Sequence, residues 1–313
     1  MRSSFALAVV ALLPSFSFAQ TEKIVEAIEQ KLAAIRYVQS LQDKESGAFK
    51  TSADAKGTSL RATSAAIRAL KYLHGKPAKL VVPHPATTGA FILLCYDPKT
   101  GGFADSPGGK PDVALTAVGV MAAVELEIPK EKFAKAMDYL KENAKTFEDV
   151  RIGAAAVEAW GVKDCPFDLK LWFQIAGDFH RSEYSFHKPR PDPKDGGARI
   201  LGSTSAMSVR LGQEFRPAVM TRFGEYLRDG QRDDGSWGKK DEKASDLETT
   251  YRVMRALYLL KAKPDHPPKL REFIGKCRNK DGGYGVKPGE PSSVSGVYFA
   301  TIIAKWLDEL EKK

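Results

Sequence analysis

Apolar residues recur at helical spacing along most of the chain. Ile24, Ile28, Leu32, Ile35, Val38 and Leu41 fall three or four residues apart with charges between them. That pattern predicts an amphipathic helix over 24–41. Phe133–Leu140, Leu169–Ile175 and Phe223–Leu227 follow it too. A second class of segment is apolar or small nearly all round: Ser59–Leu73, Asp112–Leu126, Ser203–Leu211, Asp246–Leu260 and Ser293–Leu307. Helices of that kind are buried on both sides. The leading Ser or Asp of four of these five is placed as an N-cap. Strand signals are nearly absent.

Between the two classes lie turns that look alike. They are Glu45-Ser46-Gly47-Ala48-Phe49, Thr100-Gly101-Gly102-Phe103, Asp195-Gly196-Gly197-Ala198, Asp233-Asp234-Gly235-Ser236-Trp237 and Asp281-Gly282-Gly283-Tyr284. Their last residues recur with a mean period of about 47 residues if one turn is missing, the period of a helical array. A degenerate pair, Phe133–Asn143 and Val150–Trp160, fills that gap. Six amphipathic outer helices and six buried inner helices result. An open array would need polar end repeats, and neither terminal repeat is polar. The expectation is an all-α fold, an α/α-toroid of about six hairpins joined by Gly-Gly-aromatic turns. The inner helices would then surround a central cavity. His187–Asp195 reads as a surface loop inside one repeat rather than a linker.

Composition adds boundaries. The chain has 313 residues, 43% hydrophobic and 28% charged, which excludes disorder and a multi-span membrane protein. Its 48 Lys and Arg against 39 Asp and Glu give a net charge of +9, spread along the chain. Dispersed charge favours a solvated surface with mild attraction to anionic lipid or polysaccharide, not a nucleic-acid partner. Arg2, the apolar run Phe5–Leu13 and Ser17-Phe18-Ala19 have the layout of a secretory signal peptide over residues 1–19. The remainder, 20–313, reads as one exported domain, periplasmic or extracellular, with no later stretch able to span a bilayer. The three cysteines, Cys95, Cys165 and Cys277, fall on non-neighbouring repeats or opposite rims, so three free thiols are expected.

The repeats and turns resemble the α/α-toroid of protein prenyltransferase β-subunits and squalene–hopene cyclases. Gln231-Arg232-Asp233-Asp234-Gly235-Ser236-Trp237-Gly238 is similar to the Gln…Gly-x-Trp repeat of that superfamily, and Gly101–Gly108 to a prenyltransferase repeat turn. The likeness covers roughly residues 25–310. Prenyltransferase β-subunits carry R-x-x-K-x-x-D-x-C-Y, which lands without gaps on Lys240 to Thr249. The resemblance thus implies that Lys240 and Lys243 hold a diphosphate and that Asp246 is a cavity carboxylate. Glu248 replaces the zinc-binding cysteine, and Gly296 occupies the place of the histidine ligand. Two carboxylates without thiolate or imidazole suit zinc poorly; with a substrate phosphate they would suit Mg²⁺ better. No resident cofactor is therefore expected. The Asp-x-Asp-Asp acid of the cyclases and the Gly-Cys-Gly-Glu-Gln of thioester toroids are absent from the sequence.

Plainer readings stand beside these. Lys240 and Lys243 also fit solvated turn residues, Asp246 and Asp112 fit N-caps, and Glu248 fits a first helical turn. His180 and His187 read as surface residues, and His74 as a helix C-terminus. Tyr251, Tyr298, Phe299 and Trp306 read first as core; facing inward instead, they would give an aromatic, apolar wall suited to an isoprenoid. Three functions stay open: a toroid acting on or binding an isoprenoid or other apolar ligand, a non-catalytic toroid for a peptide, lipid or glycan, and a carbohydrate-active α/α-barrel using Asp112 and Asp246.

Overall fold

Outer and inner helices alternate along the chain. The computed structural model describes residues 18–183 and 191–312, with thirteen α-helices among them. Outer α1 (Phe18–Ser40) leads to inner α2 (Leu60–His74); a single turn, α3 (Ala78–Val81), and outer α4 (Pro85–Leu94) lead to inner α5 (Val113–Glu125). Outer α6 (Lys135–Asn143) precedes inner α7 (Phe147–Trp160), and outer α8 (Lys170–Glu183) precedes inner α9 (Ala198–Arg210). Outer α10 (Pro217–Asp229) pairs with inner α11 (Leu247–Leu259), and outer α12 (Pro267–Lys276) with inner α13 (Val294–Glu311). Each inner helix packs on the next, and α13 packs on α2, so the ring closes. The only strands among the described residues are Phe49–Lys50 and Thr58–Ser59, an antiparallel pair with Phe49 opposite Ser59. No described helix is long and apolar enough to cross a membrane.

The turns explain the ring. Gly47, Gly101, Gly235 and Gly282 all have φ between 69° and 86°, the left-handed region that a Cβ resists. Each also lies against the next outer helix. A Cβ on Gly101 would meet Lys135 O at 2.6 Å, and one on Gly282 would meet Ala33 O at 2.7 Å. The latter contact joins the last repeat to the first. The turn aromatics Phe49, Phe103 and Trp237 are fully buried. Their amides donate to the hydroxyls of Thr63, Thr116 and Thr250 in the inner helix that follows. Those bonds satisfy backbone groups that burial would otherwise strand.

Three inner-helix starts, those of α2, α11 and α13, are linked to the following repeat in one way. Leu60 N donates to Asp105 O at 2.8 Å, and Leu247 N to Val286 O at 2.9 Å. Each of these amides reaches the carbonyl two residues past the aromatic of the following repeat. Val294 N makes the equivalent bond to Thr51 O at 2.9 Å and so seals the seam.

Ser59, Asp112, Asp246 and Ser293 all cap their helices with side-chain acceptors, as the sequence suggests. The fourth inner helix departs from expectation. It begins at Ala198, so Ser203 lies inside it, and the Ser203 hydroxyl donates to Arg199 O at 2.7 Å. Here Gly197, with no side chain to cap, starts the helix; Ala198 stands where the other turns carry an aromatic, and Tyr226 of α10 packs on the turn instead. The third repeat, which lacks a Gly turn, starts α7 with a Thr146–Asp149 capping box. The three cysteines are free, with Cys95 and Cys277 buried at the ends of α4 and α12. His74 ends α2, with Gly75 in the left-handed cap. Of the leader expected over 1–19, only Phe18 and Ala19 are described, as the start of α1. His187 lies outside the described residues.

Candidate functional site: an arginine-rich central channel

The inner helices bury their flanks against one another, and helical spacing sets which positions face the ring axis. On α2 they are Arg61, Ser64, Ala65 and Arg68; on α11 they are Glu248, Tyr251, Arg252 and Arg255. Together with residues of α5, α7, α9 and α13 they enclose a chamber of about 440 Å³. A second chamber of about 350 Å³ lies toward the other ends of the same helices, past Tyr72, Glu125, Tyr258, Lys305 and Trp306. Arg68, Met121, Ala155, Arg210 and Arg255 border both chambers and form a layer between them.

The first chamber has two characters. Val118, Met121, Ile152, Ala155, Met207 and Phe299 supply apolar wall. Arg61, Arg68, Arg151, Arg210, Arg252 and Arg255 supply cation, against Glu248 as the one carboxylate among its described lining residues. Glu248 is held by Arg252 at 2.7 Å, Arg199 at 3.4 Å and Lys239 at 3.8 Å. Burial pushes the Glu248 carboxyl upward, but Arg252 and Arg199 outweigh it, and the group stays below the usual carboxylate range. It acts as a counter-ion to these cations. Glu148, outside the chamber lining, balances Arg151 at 2.8 Å and Arg252 at 3.6 Å.

The layer between the chambers is built from stacked cations and phenols. Arg255 donates to the Tyr251 hydroxyl at 2.7 Å, and that hydroxyl lies 3.0 Å from the Tyr298 hydroxyl. The Arg68 guanidinium covers the Tyr298 ring at 4.6 Å, and Arg255 lies 5.2 Å from the Trp306 ring centre. Burial would raise the Tyr251 phenol, yet Arg255, Arg68 and Arg210 pull it down to about 7. Tyr298 moves the other way: burial raises it, and negative charge on Tyr251 adds to the effect. Burial and the neighbouring Arg255 push Arg210 down to about 10. Glu158 is shared by Arg210 at 2.6 Å and Arg255 at 3.8 Å.

The residues singled out from sequence separate here. Asp246 is fully buried and both its oxygens are used by Thr249, one by the amide at 2.7 Å and one by the hydroxyl at 2.8 Å. It caps α11 and does not line the chamber. Lys240 and Lys243 are exposed on the loop before α11, and neither lines the chamber. Arg232 ties that loop down by donating to Lys194 O, Lys239 O and Lys243 O. Of the four, Glu248 alone reaches the cavity. Asp112, the partner suggested for Asp246 in a carbohydrate-active site, caps α5 through Leu115 N at 2.6 Å, so the two acids do not face one another across the channel. Tyr298 and Trp306 are buried in the core, as expected, with Tyr251 and Phe299 packed against it; Tyr251, Tyr298 and Phe299 also line the first chamber and Trp306 the second. His180 is half-buried on α8 rather than a surface group.

The family model of the prenyltransferase alpha-alpha toroid domain matches residues 3–83, 78–140 and 200–313. The chain belongs to this toroid family. The toroid's solved neighbours have the same ring. The apo type II terpene cyclase MstE from Scytonema superposes with a TM-score of 0.59 at 10% identity, covering 91% of this chain and 98% of that one. A protein from Actinoplanes gives a TM-score of 0.61 at 10% identity over 91% of this chain and 99% of its own. MstE R337A, in complex with geranylgeranyl dihydroxybenzoate as substrate, gives 0.58 at 11% identity, covering 91% and 97%. At these identities the likeness is one of fold. No curated protein is similar enough in sequence to match.

The toroid's side chains do not fit the zinc that the prenyltransferase resemblance implies. Asp246 has spent its oxygens on Thr249, and Glu248 is neutralised by Arg252. Gly296 has no donor, and any Cβ there would strike the Tyr284 carbonyl. Among the described residues no three His, Cys, Asp or Glu side chains converge as a metal site.

Proposed function

We propose that this exported toroid binds an isoprenoid or similarly apolar ligand in its central channel, without zinc-dependent prenyl transfer. The observation that carries the reading is the axial chamber of about 440 Å³, whose lining includes the apolar Met121, Ile152, Met207 and Phe299 beside the arginines. Pockets of this size take small molecules that are mostly apolar with a few fixed polar contacts. MstE R337A, of the same fold, was solved with geranylgeranyl dihydroxybenzoate, an isoprenoid chain on an aromatic acid. Export is supported by the charged start, the apolar run Phe5–Leu13 and Ser17-Phe18-Ala19.

Acid-initiated cyclisation has no support in this chamber, because Glu248 is ionised and paired. A binding role therefore accounts for more of the lining than a reaction does. Native mass spectrometry of protein purified from its own host tests the reading. A co-purifying prenyl lipid supports it. Protein that arrives empty, and is not stabilised by added geranylgeraniol or geranylgeranyl diphosphate, rejects it.

A further inference from the structure

The layer that divides the channel carries more positive charge than its partners remove. Arg68, Arg210 and Arg255 converge on Tyr251 from α2, α9 and α11. On α7, Glu158 supplies one negative charge to two of them. On α5, Glu125 is taken by Lys71 at 2.5 Å. Arg68 makes no ion pair among the described residues: it has the Met121 sulfur at 3.6 Å and the Tyr298 ring, and feels Glu125 only as a further attraction shared with Lys71. The buried Arg255 Nε has no hydrogen-bond partner. Buried donors and charges left in this state are costly unless a partner completes them. A guanidinium matches the oxygens of phosphate or carboxylate in geometry as well as charge.

We infer that Arg68, Arg210 and Arg255, with the Tyr251 hydroxyl, form a binding site for a phosphate or diphosphate group midway along the channel. A group with two or more negative charges is favoured over a carboxylate, because one of the three arginine charges is already met by Glu158. The site is bordered by both chambers, so an apolar tail on the phosphate would lie along the channel wall. The assignment deepens the isoprenoid reading by naming where a charged head would sit, and it places that head away from Lys240 and Lys243. As the anion enters, the negative charge on Tyr251 becomes unfavourable and the phenol takes up a proton; Tyr298 from α13 accepts or donates across the 3.0 Å contact.

Calorimetric titration of the purified protein with inorganic pyrophosphate tests this directly. Pyrophosphate should bind, more tightly than benzoate, and should compete with geranylgeranyl diphosphate. Arg68→Met and Arg210→Met should each weaken it by about tenfold or more, with Arg68→Lys recovering part of the loss and circular dichroism showing an intact fold. The double change Lys240→Ala, Lys243→Ala should leave pyrophosphate affinity unchanged. Titration near pH 7 in two buffers of different ionisation enthalpy should show proton uptake that Tyr251→Phe removes. Absence of pyrophosphate binding, or a loss that follows the lysine pair instead of the arginines, overturns the site. Geranylgeraniol binding without pyrophosphate binding overturns it while leaving the isoprenoid reading intact. Pyrophosphate binding with no response to geranylgeraniol supports the site and counts against the isoprenoid reading.

Discussion

The Arg255 guanidinium donates to the Tyr251 hydroxyl at 2.7 Å, deep in a ring of helices that otherwise turn apolar faces to one another. With the phenol pulled down to about 7, one tyrosine should show phenolate absorbance near neutral pH, and Tyr251→Phe should abolish that signal. The stability effect has a definite sign. A phenol depressed in the folded state contributes fully above its ordinary value of 10 and loses that contribution as pH falls through about 7. Burial pushes the Cys95 and Cys277 thiols up to about 12, so they oppose it above their ordinary 9. Urea midpoints should therefore rise between pH 7 and 9 in the parent protein and flatten in Tyr251→Phe.

Glu248→Gln removes the one carboxylate on the described lining of the first chamber. Arg252, Arg199 and Lys239 then lose a shared partner. Since Glu248 keeps some solvent contact, the loss should be modest, about 1 kcal/mol in chemical denaturation. Anion affinity in the same variant should increase, because the chamber becomes more positive.

Two glycine substitutions should act in opposite directions. Gly282→Ala forces a Cβ into φ = 86° and against Ala33 O, so it should cost at least about 1–2 kcal/mol. Gly275→Ala adds a methyl with no neighbour within 4 Å inside α12, and should stabilise by about 0.5–1 kcal/mol. Thermal denaturation of the pair checks both signs.

Asp246→Ala should lower stability by about 1–2 kcal/mol, the cost of a lost N-cap, and Asp246→Asn by less. Neither should alter ligand affinity beyond its effect on folding, since Asp246 is absent from the chamber wall. A selective loss of binding in the folded Asn variant would count against a capping role.

Maleimide should label Cys95 and Cys277 poorly in the native protein, where burial keeps both thiols protonated. After denaturation without reductant, three labels per chain are expected.

The scaffold was legible because it repeats. Ser59, Asp112, Asp246 and Ser293 announce inner helices by the same local chemistry, and the turn glycines mark what lies between. The site was less legible because its members come from different repeats. Lys240 and Lys243 matched a linear motif, yet that motif sits on a rim loop whose backbone Arg232 holds. A usable signal was present in Arg68, the one cation inside Ala-Ala-Ile-Arg-Ala-Leu, and in Arg252 and Arg255 inside Arg-Val-Met-Arg-Ala-Leu. A charge in the middle of an all-round apolar helix must point at something other than core. Which cations meet is set by ring closure, and no local pattern encodes it.

That closure also bears on how the chain reaches its fold. Val294 and Thr51, joined at the seam, are roughly 240 residues apart in sequence. The first repeat can complete its contacts only after the sixth has formed, and until then α2 and α13 each present an apolar flank without a neighbour. Unlike a linear stack, which is complete at any length once a polar repeat caps each end, this arrangement has no natural halfway point. Assembly is thus committed late, and an interrupted chain is exposed to aggregation along the whole unsealed edge.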